Sequence, residues 1–226
     1  MAGVRDKAKK FSRFVKGLEA KHKAALPDKS TPLLDAFVFY LLFYSNPVSN
    51  ARRAHKALTD DKTFTSWSEV RVSTAREITV VLEKSKIKHA DFLAPRLLEF
   101  LQRLWELVDD TRIEAFNEEI AAAAEEGAKA KKEAVNRVRT TIEELPGIPP
   151  WGATYLLAAL GLDKALPLDP FTEEVLLEQD FFGADVKTLP QKKRVLKALV
   201  EGVEGLDTIE VHHLLVEYAK RDLKRR

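Results

Sequence analysis

The sequence contains no cysteine, and this absence narrows the chemistry open to the chain. Disulfide bonds, Cys-ligated zinc, iron–sulfur clusters and a thiol nucleophile are all excluded. Long apolar runs are missing too: AFVFYLLFY at 36–44 is far shorter than the roughly 20 residues of a membrane-spanning helix. The charged start, MAGVRDKAKKFSRF, lacks the apolar core of a secretory signal. We therefore expect a soluble, cytoplasmic protein.

What the sequence does contain is enough apolar residues for genuine hydrophobic cores. Of the 226 residues, 45% are hydrophobic, which suffices for one large or two small globular domains. Apolar side chains recur along the chain, so the 32% of charged residues are expected to cover a folded surface. Helical periodicity and the scarcity of alternating β-branched residues predict an all-α protein.

Charge is distributed unevenly along a chain whose formal net charge is only +2. Residues 1–30 and the last segment, KRDLKRR, are strongly basic, whereas residues 106–144 are rich in acids. Both chain ends could therefore face a polyanion, while the middle could not. The alternative is that these segments are ordinary solvated helix faces.

The periodic pattern predicts ten helices outside one unusual segment, which spans about 109–140. That segment is rich in Ala, Glu and Lys, with few apolar residues, and predicts an exposed charged helical arm broken at Gly127. The other predicted helices cover 4–25, 33–44, 50–58, 67–72, 74–85, 90–108, 151–160, 170–179, 189–203 and 208–220.

Four segments together carry a resemblance to a known family. They are STPLLDAFVFYLLFYSNPVSNARRAHKAL at 30–58, LPGIPPWGATYLLAALGL at 145–162, ALPLDPFTEEV at 165–175 and VHHLLVEYAKRD at 211–222. In that order they resemble four parts of the family's fold. These are the first core helix with its loop, the helix-hairpin-helix, the segment that leads to the catalytic aspartate, and a late helix that begins with two histidines. The family is the endonuclease III superfamily of DNA glycosylases, and the resemblance covers nearly the whole chain except the charged segment.

The resemblance implies an all-α, two-lobed DNA-glycosylase fold with a helix-hairpin-helix. One lobe would be a six-helix body at 31–162, which ends in the helix-hairpin-helix and carries the charged helical insertion at about 109–140. The other lobe would combine 1–30 with 163–226. The partner would be double-stranded DNA, intact or damaged, and the charged insertion could serve a protein partner. We expect neither a metal nor another cofactor.

The resemblance also implies site residues. Asp169 stands where the family has its catalytic aspartate, which would stabilise the cationic sugar of the transition state and activate water. Asp-Pro is equally a good helix N-cap, so a purely structural role for Asp169 stays open. A glycine turn can offer backbone N–H groups to a phosphate. The candidate DNA-binding residues are Ser45, Asn46, Arg52, Arg53, Gly147, Ile148, Trp151 and Gly152.

Several positions depart from the family pattern. Trp151 stands at the Schiff-base lysine, so lyase activity through an amine is not expected. Pro149 and Pro150 each remove an N–H from the hairpin, which should weaken its hold on phosphate. Glu174 replaces the motif arginine and, with Glu173, would repel phosphate.

Other candidate residues have structural alternatives. Trp151 could be a core aromatic residue, the polar pair Ser45 and Asn46 could satisfy a turn, and the two arginines could simply solvate a helix. His212 and His213 do not predict a metal site, because adjacent helical residues point about 100° apart.

Two functions are compatible with the sequence. The first is a monofunctional DNA N-glycosylase in base-excision repair, which hydrolyses the base–sugar bond without lyase activity. The second is a catalytically inactive descendant of the same fold that binds DNA or another protein.

Overall fold

The computed structural model describes residues 2–22, 31–60, 62–108, 112–183 and 186–223. The all-α prediction is confirmed, because helices are the only regular elements within these ranges. The end of the first predicted helix and the loop at 26–30 lie outside the described residues. The helices are α1 (Ala2–His22), α2 (Leu33–Tyr44), α3 (Val48–Leu58), α4 (Trp67–Val72), α5 (Ala75–Lys84), α6 (Ala90–Val108), α7 (Ala115–Glu125), α8 (Ala128–Glu143), α9 (Pro150–Ala159), α10 (Pro170–Glu178), α11 (Leu189–Val200) and α12 (Thr208–Tyr218), which continues as a π-helix at Ala219–Leu223.

The chain divides into two compact units. The central unit is Asp28–Ala153, and the terminal unit combines Met1–Pro27 with Thr154–Arg226. In the described part of the chain, no helix combines the length and apolar character needed to cross a membrane.

The central unit is organised around α2. This helix is apolar on nearly all sides, and Leu34, Phe37, Tyr40 and Phe43 are among its buried residues. It packs against α3, while α5 packs against α6. Helix α5 begins with a capping box between Thr74 and Glu77, in which each satisfies a backbone N–H of the other. In these helices the apolar residues recur at helical spacing, so their apolar faces pack together in the core of the unit.

The charged segment forms two helices that pack on each other. Gly127, at φ +121°, separates α7 from α8, which confirms the predicted break. Most residues of both helices are exposed or half-buried, as the composition predicts, and each helix buries one row of apolar side chains at helical spacing. The carboxylate of Glu114 accepts a hydrogen bond from the backbone N–H of Leu33 at 2.7 Å, which ties the segment to the start of α2. The buried residues are Phe116, Ile120, Ala123, Ala134, Val138 and Ile142.

The terminal unit joins the first helix of the chain to the last four. Phe11 of α1 packs edge-to-face on Phe181 with ring centroids 5.1 Å apart. The carboxylate of Asp222 lies 2.9 Å from Nε2 of His22 and 2.9 Å from Nζ of Lys21, so polar contacts join the end of α1 to the π-helical turn. Helix α12 is buried along its whole length. It can therefore hold polar side chains away from solvent, provided that each finds a partner.

Candidate functional site

Asp169 lies at the start of α10 and caps that helix. Its Oδ1 accepts hydrogen bonds from the backbone N–H of Phe171 at 2.7 Å and of Thr172 at 3.1 Å, while Pro170 occupies the first helical position. The predicted N-cap is thus confirmed. Asp169 is also only 1% exposed. Burial of a carboxylate requires that its charge be met by donors, and the helix end supplies two of them.

The second oxygen of Asp169 lies in a buried polar triangle. Oδ2 accepts a hydrogen bond from the hydroxyl of Thr172 at 2.9 Å and lies 3.2 Å from Nε2 of His212. The Thr172 hydroxyl also lies 3.2 Å from Nδ1 of His212. Complete burial lowers the pKa of His212 to about 3, so its imidazole is neutral at ordinary pH. The triangle orients the Asp169 carboxylate.

The neighbouring His213 serves a different partner. One of its ring nitrogens lies 3.0 Å from the hydroxyl of Tyr155, and burial raises the pKa of that tyrosine. The two histidines thus contact separate polar groups. No three His, Asp or Glu side chains gather as metal ligands in the described residues.

The acidic residues that follow Asp169 are not equivalent. Glu173 forms an ion pair with Lys192 of α11, so its charge is locally compensated. Glu174 is exposed to solvent on the same helix. The expectation that both carboxylates repel phosphate is therefore weakened for Glu173 and retained for Glu174.

The turn between α8 and α9, residues 144–149, packs tightly against α6. Gly147 has φ +76°, and a Cβ there would overlap the carbonyl oxygen of Arg96 and lie 3.1 Å from the backbone nitrogen of Phe100. A residue with a side chain is thus excluded on two grounds, backbone conformation and close approach. Gly147 is required by packing whether or not its N–H reaches a ligand.

The other predicted residues of this turn also have packing roles. A Cβ on Gly152 would lie 3.3 Å from Cβ of Ile148, so the two residues are in close contact. The N–H of Gly152 donates to the carbonyl oxygen of Pro149 at 2.7 Å. That N–H is therefore already hydrogen-bonded within the chain. Pro149 and Pro150 have no N–H to donate, so the hairpin offers fewer donors to a phosphate.

Trp151 is half-buried among tyrosines of α2. Its ring lies 4.6 Å from that of Tyr44 with an interplanar angle of 32°, and 5.2 Å from that of Tyr40 in an edge-to-face arrangement. Such pairs stabilise a fold beyond the area they bury. Trp151 thus has a packing role, and the part of its surface that stays exposed leaves room for a ligand.

The predicted polar pair after α2 separates in the structure. Ser45 is exposed, whereas Asn46 is 1% exposed. The Asn46 amide donates to the carbonyl oxygen of Leu42 at 2.8 Å, and its oxygen accepts from the backbone N–H of Lys88 at 2.7 Å. Asn46 therefore satisfies the end of α2, as the structural alternative expected, and also joins it to the α5–α6 turn.

Replacing Asn46 with alanine should destabilise the central unit by about 2 kcal/mol. The change removes two hydrogen bonds and leaves a buried carbonyl and a backbone N–H without these partners. Urea unfolding of the wild type and Asn46→Ala checks this, with Ser45→Ala as the control. Ser45 is its exposed neighbour, so Ser45→Ala should change stability by less than about 0.5 kcal/mol. Equal effects of the two variants would contradict the joining role.

A cavity of about 520 Å³ lies within the central unit. It brings together three of the predicted residues, Ser45, Gly147 and Trp151, which are far apart in the sequence. Arg52 and Arg53 are exposed on α3 and do not line it. The remaining lining comes from α2, the end of α5, the α5–α6 turn, the start of α6 and Pro149 of the α8–α9 turn.

The α5–α6 turn and the start of α6 contribute polar residues to this cavity that the sequence did not reveal. Lys88 and His89 lie on the turn, and Arg96 on the following helix. The turn contains two residues with left-handed backbone, Lys86 at φ 60° and His89 at φ 57°. Glycine is the usual signal for such a conformation, and this turn has none.

The described fold is that of a class of all-helical proteins that includes endonuclease III. The chain is similar to the solved structure of a trapped endonuclease III–DNA covalent intermediate, an estranged-adenine complex, with a TM-score of 0.56. The similarity covers 93% of this chain and 85% of that one at 13% sequence identity, so it shows the fold alone. No protein-family model matches the sequence, and comparison with curated proteins finds no match.

Proposed function

We propose that the protein is a monofunctional DNA N-glycosylase, which binds double-stranded DNA and hydrolyses a base–sugar bond in base-excision repair. The observation that supports this function is the buried, fully hydrogen-bonded Asp169, at the position where the resemblance places the catalytic aspartate. The endonuclease III fold provides the context for that residue. The two-lobed division and the helix-hairpin-helix are part of the same proposal.

In this proposal Asp169 acts through its charge. Departure of a base leaves positive charge on the sugar, and a fixed carboxylate nearby stabilises that charge. Both carboxylate oxygens accept hydrogen bonds, which fix the position of the carboxylate charge. We assign to Asp169 the electrostatic stabilisation of the charge on the sugar together with the activation of the attacking water.

The absence of an amine at Trp151 supports hydrolysis without lyase activity. An indole cannot form the imine through which a lysine would cleave the strand. The DNA contacts in this proposal come from the exposed or half-buried candidates in the central unit. They are Ser45, Arg52, Arg53, Gly147, Ile148 and Trp151, while the buried Gly152 positions the turn.

Incubation with a panel of duplexes, each with one damaged base, should release a base and leave an intact abasic strand. Strand breaks should appear only after hot alkali, and borohydride should trap no protein–DNA adduct, because no amine is present at Trp151. Gel analysis with and without alkali measures both outcomes. Base release together with an alkali-independent break or a trapped adduct would contradict the monofunctional assignment, and release of no base from any duplex would overturn the glycosylase.

A second candidate function is a non-catalytic module that binds DNA or a protein. The burial of Asp169 at the N-cap of α10 favours this candidate. Capping the helix is by itself enough to explain an aspartate at this position. Here the α7–α8 pair, with its exposed acids and basic residues, would offer the protein-binding surface. This candidate predicts weak DNA binding that is insensitive to damage, whereas tight, salt-dependent binding to a damaged duplex counts against it.

A further inference from the structure

Side chains from two helices meet at one oxygen of Asp169. Its Oδ2 lies 2.9 Å from the hydroxyl of Thr172, in the first turn of α10, and 3.2 Å from Nε2 of His212 on α12. Thr172 and His212 have no exposed surface, and Asp169 is 1% exposed. Because these polar side chains are buried, their donors and acceptors have to match one another.

The triangle of these three side chains has fewer protons than contacts. The Thr172 hydroxyl also lies 3.2 Å from Nδ1 of His212, so three contacts close the triangle. A neutral imidazole carries one ring proton and a hydroxyl carries one, whereas a charged carboxylate carries none and only accepts. Two protons therefore serve three contacts, and the place of the ring proton decides which contacts are hydrogen bonds.

The carboxylate selects the tautomer of His212. With the ring proton on Nδ1, the lone pair of Nε2 would face Oδ2 of Asp169 at 3.2 Å, and two acceptors would repel each other. With the proton on Nε2, the ring donates to Oδ2, and Nδ1 becomes a second acceptor for the Thr172 hydroxyl. Complete burial lowers the pKa of His212 to about 3, so the ring has only this one proton at ordinary pH.

We propose that His212, as the neutral tautomer with its proton on Nε2, is the positioning residue that fixes Oδ2 of Asp169, with Thr172 as its partner. The backbone N–H groups of Phe171 and Thr172 fix Oδ1, so the carboxylate cannot turn about its Cβ–Cγ bond without losing hydrogen bonds. A charge that is oriented before the reaction stabilises the transition state without a cost of reorganisation. The inference rests on the proposed glycosylase, because His212 acts through Asp169.

His213 provides a matched control on the same helix. It is also completely buried, but one of its ring nitrogens lies 3.0 Å from the hydroxyl of Tyr155. Replacing either histidine with leucine removes a buried imidazole and its polar contact from α12, so both variants should lose stability. Only His212→Leu also removes a donor to Asp169. Comparison of the two variants therefore separates positioning from stability.

NMR of the full-length protein tests this arrangement without any substrate. With ¹⁵N-labelled histidine, the ring signals that disappear in His212→Leu should show a protonated Nε2 and an unprotonated Nδ1 at pH 7. With ¹³C-labelled aspartate, the carboxyl signal that disappears in Asp169→Asn should shift in His212→Leu and stay in place in His213→Leu. A charged His212 ring, a proton on Nδ1, or an unmoved carboxyl signal in His212→Leu would overturn the inference.

Single-turnover base release tests the consequence for the reaction. His212→Leu should lower the rate about 10- to 100-fold with little change in affinity for the damaged duplex, because misplacing a group by about 1 Å can cost 10²-fold. His213→Leu should stay within about threefold of the wild type. His212→Gln should recover most of the loss, because its amide can donate from the place of Nε2. In the Asp169→Asn background, His212→Leu should add almost no further loss.

The outcomes separate this inference from the proposed enzyme. Equal rates for His212→Leu and His213→Leu, or the full further loss in the Asp169→Asn background, overturn the positioning role and leave the glycosylase in place. Release of no base by the wild type overturns the glycosylase. In that case the ring proton of His212 and the carboxyl signal of Asp169 decide by themselves whether His212 positions the carboxylate.

Discussion

Asp169→Asn should reduce base release about 10²- to 10³-fold while the protein remains folded. Loss of one preorganised electrostatic contact in an active site typically costs this factor, about 3–4 kcal/mol of transition-state stabilisation. Asparagine keeps an oxygen that can accept from the N–H groups of Phe171 and Thr172, and it is as good an N-cap as aspartate. Single-turnover base release on the substrate identified from the damaged-duplex panel measures the effect.

Glu174→Gln is the matched control for this change. It removes a carboxylate charge from the same helix, but Glu174 is exposed and has no contact with the buried triangle. Its rate should stay within about twofold of the wild type, because an exposed charge is screened by solvent. A rate for Asp169→Asn that also stays within twofold would remove Asp169 from the mechanism and leave it as a helix cap.

Asp169→Ala separates the two roles of the carboxylate. It removes the charge together with the cap, so it should lose activity as Asp169→Asn does and also lose about 1–2 kcal/mol of stability. The comparison distinguishes an inactive folded protein from one whose α10 has frayed. The second candidate function predicts the stability loss without any activity to lose.

The parts of the fold that could be predicted from the sequence are those set by residues that lie close together along the chain. Helix α2 begins after Pro32 and ends at Tyr44, as expected from an apolar run between a proline and a polar turn. The caps at Thr74 and Asp169 follow from side chains that bond N–H groups two or three residues later. Gly127 separates two helices because its backbone conformation is open to glycine.

The parts of the site that could not be predicted depend on contacts between distant residues. His212 meets Thr172 across 40 residues, and no local pattern indicates that pairing. Asn46 was expected to satisfy a turn, yet its bond to Lys88 joins α2 to the α5–α6 turn, 42 residues along the chain. Gly147 shows the limit most clearly: the sequence predicted a glycine turn, and only the structure gives its closest neighbour, the backbone of α6.

Gly147→Ala should destabilise the central unit by about 3 kcal/mol. An L-residue at φ +76° costs about 1–2 kcal/mol by itself. The new Cβ would also overlap the backbone oxygen of Arg96, and backbone cannot move aside as a flexible side chain can. The turn must therefore shift away from α6, which opens the cavity that Gly147 lines. Urea unfolding and hydrogen exchange of the α6 amides measure the loss.

Gly161→Ala isolates the contribution of the overlap. Gly161 has φ +71°, close to that of Gly147, but nothing lies within 4 Å of a Cβ built there. It should therefore lose only the backbone contribution, about 1 kcal/mol. If the two variants lose equal stability, the overlap with α6 contributes nothing to the destabilisation by Gly147→Ala.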